Sequence, residues 1–148
     1  MNIYTGCAID NNSAAEEQYD NLIDTINANL DGQKVIFRPK HAFNLNGDIS
    51  SKESRFIYDI NMAALSKADL AIFWLGGAFS FGVPIEIYYC DQKSIPCVLL
   101  WTSEHAPGSY VKLFCKDVVY SMGELAAYLG SYAPRAEAGP RPPTLMGG

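Results

Sequence analysis

The chain has 148 residues, of which 49% are hydrophobic and 18% are charged, and its formal net charge at pH 7 is -5. This length suits one domain with one core, and the composition excludes the weakly hydrophobic, highly charged chains that stay disordered. The negative charge and the lack of a Lys/Arg run oppose binding of a DNA or RNA polymer, whereas hydroxyls and backbone N–H groups can hold one phosphate of a free nucleotide.

The amino-terminal part of the chain predicts a strand, a helix and a second strand. Residues 2–8 are a short apolar run that leads into a polar loop. A capping-box pattern at Ser13 and apolar residues at helical spacing predict a helix that closes at Asp31-Gly32. Residues 34–38 read as a strand stopped by Pro39, and a long loop rich in Asn, Asp, Gly and Ser follows.

The middle of the chain contains the most apolar segment. Helical spacing resumes at residues 53–67, and residues 69–75 then form an uninterrupted apolar run typical of a central parallel strand. Residues 76–82 form a glycine-containing loop. Pro84 suits the first turn of the short helix predicted at residues 85–91.

The last elements complete an alternating pattern. Residues 95–101 predict a fourth strand, residues 117–120 a weaker fifth, and residues 123–132 a final helix. Strands alternating with helices predict an α/β fold with a flavodoxin-like, Rossmann-like five-stranded parallel sheet flanked by helices. We expect one domain at residues 1–132 and a disordered Pro/Gly-rich tail at residues 133–148.

The cysteines and histidines of the chain indicate its cellular compartment and whether it binds a metal or a cofactor. The four cysteines lack CxxC spacing, and the N-terminus has no basic region followed by a long apolar stretch, so we expect reduced thiols in the cytoplasm. No apolar run reaches the length of a membrane span. With two histidines and no HxxxH pattern, neither a metal site nor a bound cofactor is expected.

Glu86 is the first candidate for chemistry. Ligands of parallel sheets sit at the carboxyl ends of the strands, which selects the loops after Ala8, Arg38 and Leu75. Glu86 follows the last of these loops and lies among apolar and aromatic neighbours at residues 83–89. A charge in such a stretch is either paired or functional, although a solvated helix carboxylate is the simpler alternative.

Two segments carry a family resemblance. Residues 61–73 (NMAALSKADLAIF), followed by residues 80–87 (SFGVPIEI), resemble the nucleoside 2-deoxyribosyltransferase family, which includes related nucleoside 5'-monophosphate N-glycosidases. The opening Ile3-Tyr4-Thr5-Gly6 also resembles the family, in which a first strand ends in a glycine loop against the base. The resemblance implies an enzyme that cleaves or transfers the N-glycosidic bond of 2'-deoxynucleosides or their 5'-monophosphates.

The resemblance implies that Glu86 attacks the anomeric carbon and forms a glycosyl-enzyme ester. This agrees with the chemistry of carboxylates, which are the usual nucleophiles at oxocarbenium-like centres. Acidic residues near the base would assist its departure. Asp69 matches a family aspartate but could equally cap a loop. Asn61 stands where many members have Asp and, as an amide, cannot act as a general acid, whereas Asp59 could substitute from a different helix face.

The resemblance also implies the substrate-binding residues. Ser80 and Gly82 match the Ser-x-Gly of members that hydrolyse 5'-monophosphates, and a hydroxyl with loop N–H groups accepts phosphate where an aspartate would repel it. Tyr4 and Gly6 would face the base, with Tyr4 stacking on it or simply packed in the core. Family members complete the pocket with a neighbouring subunit, so we expect a homo-oligomer with an apolar contact surface at Phe79, Phe81, Tyr88 and Tyr89.

Three functions stay open at this point. The first is an enzyme, either a base-exchanging transferase or a hydrolase of the monophosphate. The second is a non-catalytic nucleotide-binding or sensor module, favoured by the loss of Asp at position 61 and opposed by the retention of Glu86. The third is a redox flavoprotein, which is disfavoured because residues 7–12 lack a Ser/Thr-rich phosphate loop.

Overall fold

The computed structural model describes residues 1–7, 13–39, 51–76 and 82–132 of the chain. Strands and helices alternate along these residues. The strands are β1 (Asn2–Cys7), β2 (Val35–Phe37), β3 (Leu70–Leu75), β4 (Cys97–Trp101) and β5 (Asp117–Val119). The helices are α1 (Ser13–Asn29), α2 (Ser51–Ser66), α3 (Gly82–Lys93), α4 (Ser109–Phe114) and α5 (Met122–Ser131).

The strands form one parallel sheet in the order β2-β1-β3-β4-β5. This confirms the predicted α/β class and the flavodoxin-like strand order. The chain runs from β1 outward to β2 and then crosses back to β3 on the other side of β1. The switch point of the sheet therefore lies between the carboxyl ends of β1 and β3, where doubly wound folds bind ligands.

Alternate residues of the strands feed two separate cores. On one face Ile72 and Trp74 pack with Leu22 of α1 and Leu125 of α5. On the other face Phe73 packs with residues of α3. All six residues of β3 are buried, which explains the uninterrupted apolar run in its sequence.

The ends of two helices show where the local sequence predicts the secondary structure and where it does not. Gly32 has φ of +86°, which L residues rarely adopt, and it follows α1 as predicted. The sequence does not predict α4, because the helix has six residues and its N-cap residue, Gly108, has no side chain that could form a capping hydrogen bond.

Within the described residues, no helix has the length and apolar composition needed to cross a bilayer.

The expected single domain and disordered tail remain predictions. The tail at residues 133–148 lies outside the described residues, as does most of the long loop after Pro39.

Candidate active site

A carboxylate and a tyrosine hydroxyl form the centre of the site. Glu86 lies in the first turns of α3, directly after the β3 loop, and its Oε1 accepts a hydrogen bond of 2.7 Å from the hydroxyl of Tyr4 in β1. The Tyr4 side chain is fully buried, and its ring stacks on Phe37 of β2 at a centroid distance of 5.5 Å. The pair therefore joins α3 to the centre of the sheet.

Gly6 allows the carboxylate to approach the end of β1. A Cβ atom at this position would lie 2.8 Å from Glu86 Oε2 and 2.8 Å from Cδ1 of Phe73. Both distances are shorter than a carbon atom tolerates, and Phe73 is fixed within the core. A side chain at position 6 and the carboxylate cannot occupy this place together, so glycine is required by close approach.

Burial controls the ionisation of Glu86. Removal from water raises the pKa of Glu86 from 4.5 to about 7, although the hydrogen bond from Tyr4 favours the charged form and opposes this rise. Burial, with the nearby Glu86 charge and hydrogen bond, raises the pKa of Tyr4 far above its usual range. Tyr4 therefore keeps its proton and remains a hydrogen-bond donor to the carboxylate.

A small cavity of about 80 Å³ opens beside the carboxylate. Its lining consists of residues from β1, α1, α2 and α3 and from the end of β2, namely Gly6, Cys7, Tyr19, Pro39, Asn61, Gly82, Val83 and Glu86. Cys7, Pro39 and Gly82 directly adjoin the segments 8–12, 40–50 and 77–81 in the chain. The cavity thus lies where the three loops selected from the sequence leave the sheet.

Asn61 brings an unused hydrogen-bonding group to this cavity. Its Oδ1 atom is buried and has no hydrogen-bond partner, a state it shares in the described residues with Nε of Arg38. A buried polar atom without a partner costs roughly 1–3 kcal/mol. Such atoms are rare in folded proteins, and this one belongs to a residue that lines the cavity.

Tyr19 lines the cavity on the α1 side, and its hydroxyl contacts Thr5 of β1. Thr5 Oγ1 donates to the carbonyl of Phe37 at 2.7 Å, so the contact of 2.5 Å between Thr5 Oγ1 and Tyr19 is donated by the tyrosine hydroxyl. The guanidinium of Arg38 lies 4.4 Å above the Tyr19 ring and pairs with Asp20 at 2.6 Å. The sequence had suggested only a packing role for Tyr19, because its helical spacing is that of a core residue.

The structure brings Glu86, Asn61, Gly6 and Gly82 together, and it places Tyr4 beneath the carboxylate. Tyr4 does not face the cavity as a stacking surface for a base, because its ring is buried against Phe37. Tyr4 is therefore a positioning residue, whose hydroxyl holds the Glu86 carboxylate.

Asp69 and Asp59 lie away from this group. Asp69 precedes β3 at the amino edge of the sheet, and its Oδ2 accepts a hydrogen bond of 2.7 Å from the backbone N–H of Asn2. Gly6 pairs with Phe73, four residues further along β3, which separates the two sites by about 13 Å. Asp59 is exposed and pairs with Arg55 at 3.0 Å. The geometry favours the structural alternative for Asp69.

One predicted site residue, the candidate phosphate ligand Ser80, lies outside the described residues. Across the described part of the chain, no three His, Cys, Asp or Glu side chains are grouped as a metal site would require.

The fold and the site together define a doubly wound α/β protein with a partly buried carboxylate at its switch point. A carboxylate with a pKa near neutrality, set at a small cavity beside an amide and a tyrosine, is suited to act as a nucleophile or a general base.

Two solved structures share this fold. One is a 2-deoxyribosyltransferase from the psychrotolerant bacterium Bacillus psychrosaccharolyticus, with a TM-score of 0.69 and 12% identity over 90% of this chain and 93% of that chain. The other is a conserved protein from Enterococcus faecalis V583, with a TM-score of 0.72 and 20% identity over 87% of this chain and 97% of that chain. No family model matches the sequence, and no curated protein matches it significantly. At these identities the likeness establishes the common fold.

The close approach at Gly6 generates a first prediction. In Gly6→Ala the new methyl group displaces either the Glu86 carboxylate or Phe73, which we expect to lower the free energy of unfolding by about 1–3 kcal/mol. Gly130→Ala in α5 is the matched control. Its Cβ meets nothing within 4 Å, so the helix gains up to about 1 kcal/mol. Urea denaturation measures both changes, and equal stability of the two variants would contradict the packing described for Gly6.

The raised pKa of Glu86 generates a second prediction. Because the unfolded chain ionises at 4.5 and the folded chain near 7, the wild type loses stability relative to Glu86→Gln as pH rises through this window. We expect Glu86→Gln to be more stable by roughly 3 kcal/mol above pH 8 and about equal at pH 4. Denaturation across this pH range, with the exposed Glu17→Gln as control, measures the difference. A pH-independent difference would contradict the assigned burial.

Proposed function

We propose that the protein cleaves or transfers the N-glycosidic bond of 2'-deoxynucleosides or their 5'-monophosphates, with Glu86 as nucleophile. The observation that carries the proposal is the partly buried Glu86 carboxylate, held by Tyr4 over Gly6 at the switch point of the sheet. The shared fold with a 2-deoxyribosyltransferase supports it, as does the resemblance of residues 61–73 and 80–87 to that family.

The proposed reaction has two displacements. A carboxylate oxygen of Glu86 attacks the anomeric carbon, a C–O bond forms, and the C–N bond breaks with its electron pair leaving on the base. Water or a second base then attacks the same carbon, and the Glu86 ester bond breaks to regenerate the carboxylate. Water gives the free deoxyribose or its 5-phosphate, whereas a base gives a new nucleoside or nucleotide.

The surroundings of Glu86 support a nucleophilic role. The bond from Tyr4 fixes Oε1, and Gly6 leaves room for Oε2, so the carboxylate has one orientation. Burial has removed part of its hydration in advance, which favours attack on a carbon that develops positive charge. With a pKa raised to about 7, the carboxylate still ionises in the neutral pH range.

The departing base is assisted by Asn61 in this proposal. Glu86 is the one acidic residue among the described lining residues of the cavity, and Asp59 and Asp69 lie elsewhere. Asn61 can donate or accept a hydrogen bond at the base but has no proton to transfer, so the base takes its proton from water. A base that is stable as an anion or already protonated would leave fastest.

The substrate's 5' end distinguishes two versions of the proposal. Ser80 and the backbone N–H groups of its loop would hold a 5'-phosphate, as the family resemblance implies. The second step distinguishes two activities. If water attacks the glycosyl ester of Glu86, the protein is a hydrolase, and if a second base attacks it, the protein is a transferase.

The decisive experiment is chromatography of the free base released from deoxynucleosides and their 5'-monophosphates, with and without an added acceptor base. Release from monophosphates without acceptor would support hydrolysis and the phosphate role of Ser80, and exchange that requires an acceptor would support transfer. In Glu86→Gln we expect turnover to fall on the order of 10³-fold or more, because the nucleophile is removed while the shape is kept. Glu17→Gln should retain full activity.

The pH profile adds an independent check. Because the carboxylate must be ionised to attack, kcat/KM should fall about tenfold per pH unit below pH 7. Wild-type turnover in Glu86→Gln would overturn the nucleophile, and silence of the wild type across the whole panel would favour a non-catalytic nucleotide-binding module.

We also propose that the protein self-associates through an apolar groove on α3 and α4. The groove has a volume of about 300 Å³ and is lined by Pro84, Ile85, Ile87, Tyr88, Tyr110, Val111 and Phe114. Ile85 is 54% exposed and Tyr110 is 79% exposed, which is unusual for large apolar side chains beside a site. Ile85 and Ile87 adjoin Glu86 in the chain, so a second copy seated here would contact the helix that carries the carboxylate.

Sedimentation velocity tests this association. We expect the wild type to sediment as a dimer or larger at assay concentrations, and Tyr110→Ser to weaken the association because its ring leaves the contact. Tyr120→Ser, at a tyrosine that is 50% exposed outside the groove, is the matched control. A wild type that remains monomeric would contradict the proposal.

A further inference from the structure

We infer that a second cavity, between α1 and the segment after β4, binds an uncharged nitrogen heterocycle such as a free purine or pyrimidine base. The cavity has a volume of about 700 Å³, within the range of small-molecule sites. Its lining residues are Gln18, Asn21, Trp74, Gly76, Thr102, Ser103, Glu104, His105 and Met122. It stands apart from the reaction proposed for Glu86 and does not depend on it.

The two cavities have different linings. Trp74, in the lining of the second cavity, belongs to the core that packs against α1 and α5, whereas Val83, in the lining of the first, belongs to the core on the other face. Helix α1 contributes to both, with Tyr19 in the first and Gln18 and Asn21 in the second, but no residue lines both cavities among those described. The described residues thus give the second cavity a lining of its own.

The floor of this cavity is built by a close approach. The indole Nε1 of Trp74 donates a hydrogen bond of 2.8 Å to Thr102 Oγ1. A Cβ atom on Gly76 would lie 2.1 Å from that same oxygen, so the threonine occupies space that only glycine leaves open. The Thr102 oxygen accepts from the indole, and its own proton remains to be donated.

One wall is held rigid by hydrogen bonds around the turn after β4. The backbone N–H of Thr102 donates to the carbonyl of Leu75 at 3.0 Å, which continues the strand pairing. The backbone N–H of His105 donates to Ser103 Oγ at 3.3 Å, and the indole N–H of Trp101 donates to the His105 carbonyl. A wall fixed in this way needs little ordering when a ligand binds.

The opposite wall carries two primary amides. Gln18 and Asn21 are three residues apart on α1, so their side chains project from the same face of the helix. Each amide offers a donor and an acceptor in one plane, which is the pattern that asparagine and glutamine use to hold the edge of a base. Met122 and the Trp74 ring supply apolar surface for the heterocycle itself.

The charges of the lining select against anions. Glu104 brings a negative charge to the cavity, and the lining residues described include no lysine or arginine. A nucleotide phosphate would meet a carboxylate without a compensating cation. The chemistry thus fits a base or an unphosphorylated nucleoside, and it disfavours the nucleotide.

Equilibrium binding followed by NMR tests the inference, with adenine, hypoxanthine and cytosine as probes and deoxyadenosine 5'-monophosphate and ribose as comparison ligands. We expect at least one base to bind, with shifts at Trp74 Nε1 and at the side-chain amides of Gln18 and Asn21. The double variant Gln18→Ala/Asn21→Ala should weaken binding about tenfold or more, because hydrogen bonds to the base are lost. Gln92→Ala, at an exposed amide on α3, is the matched control.

The outcomes separate this site from the one at Glu86. Binding that persists in Glu86→Gln and weakens in the double variant supports the inference, whether or not the protein has glycosidase activity. Binding that is lost in Glu86→Gln but kept in the double variant would place the base in the other cavity and overturn it. Absence of binding by all three bases, or equal binding of the monophosphate or of ribose, would overturn it as well.

Discussion

The hydrogen bond from Tyr4 to Glu86 is the interaction on which the site depends. It links α3 to the first strand and sets the place of a carboxylate that burial would otherwise disfavour. The carboxylate can approach β1 because position 6 has no side chain, and it can be oriented because the tyrosine retains its proton. The same few atoms therefore pack the core and orient the carboxylate. A substitution that disturbs this packing also changes the surroundings of the carboxylate.

The site is costly to the folded state. A carboxylate whose pKa is raised by burial destabilises the fold once it ionises, and the partnerless Asn61 Oδ1 adds a further penalty. These costs are concentrated around one small cavity, whereas both faces of β3 are fully buried and provide compensating stability. Such a distribution is typical of proteins that hold a reactive group in a rigid scaffold.

The carboxyl edge of the parallel sheet holds two cavities of different size. The cavity of about 80 Å³ contains the Glu86 carboxylate, and the cavity of about 700 Å³ presents amides and hydroxyls. Both depend on how β1 and β3 end: Gly6 pairs with Phe73 and leaves room for the carboxylate, while Trp74, the next residue of β3, lines the larger cavity. The register of β1 against β3 thus contributes to both.

The sequence by itself predicted the alternation of strands and helices, apart from the short α4, and the parallel sheet, and it selected Glu86 as a candidate for chemistry, because these follow from local periodicity and from the position of a charge after a central strand. Tertiary structure alone decided that Tyr4 supports the carboxylate, that Asp69 lies at the far edge of the sheet, and that Asn61 has a partnerless oxygen. These facts depend on which residues of distant segments meet, and hence on strand register and helix packing. Periodicity along one segment contains no information about such contacts.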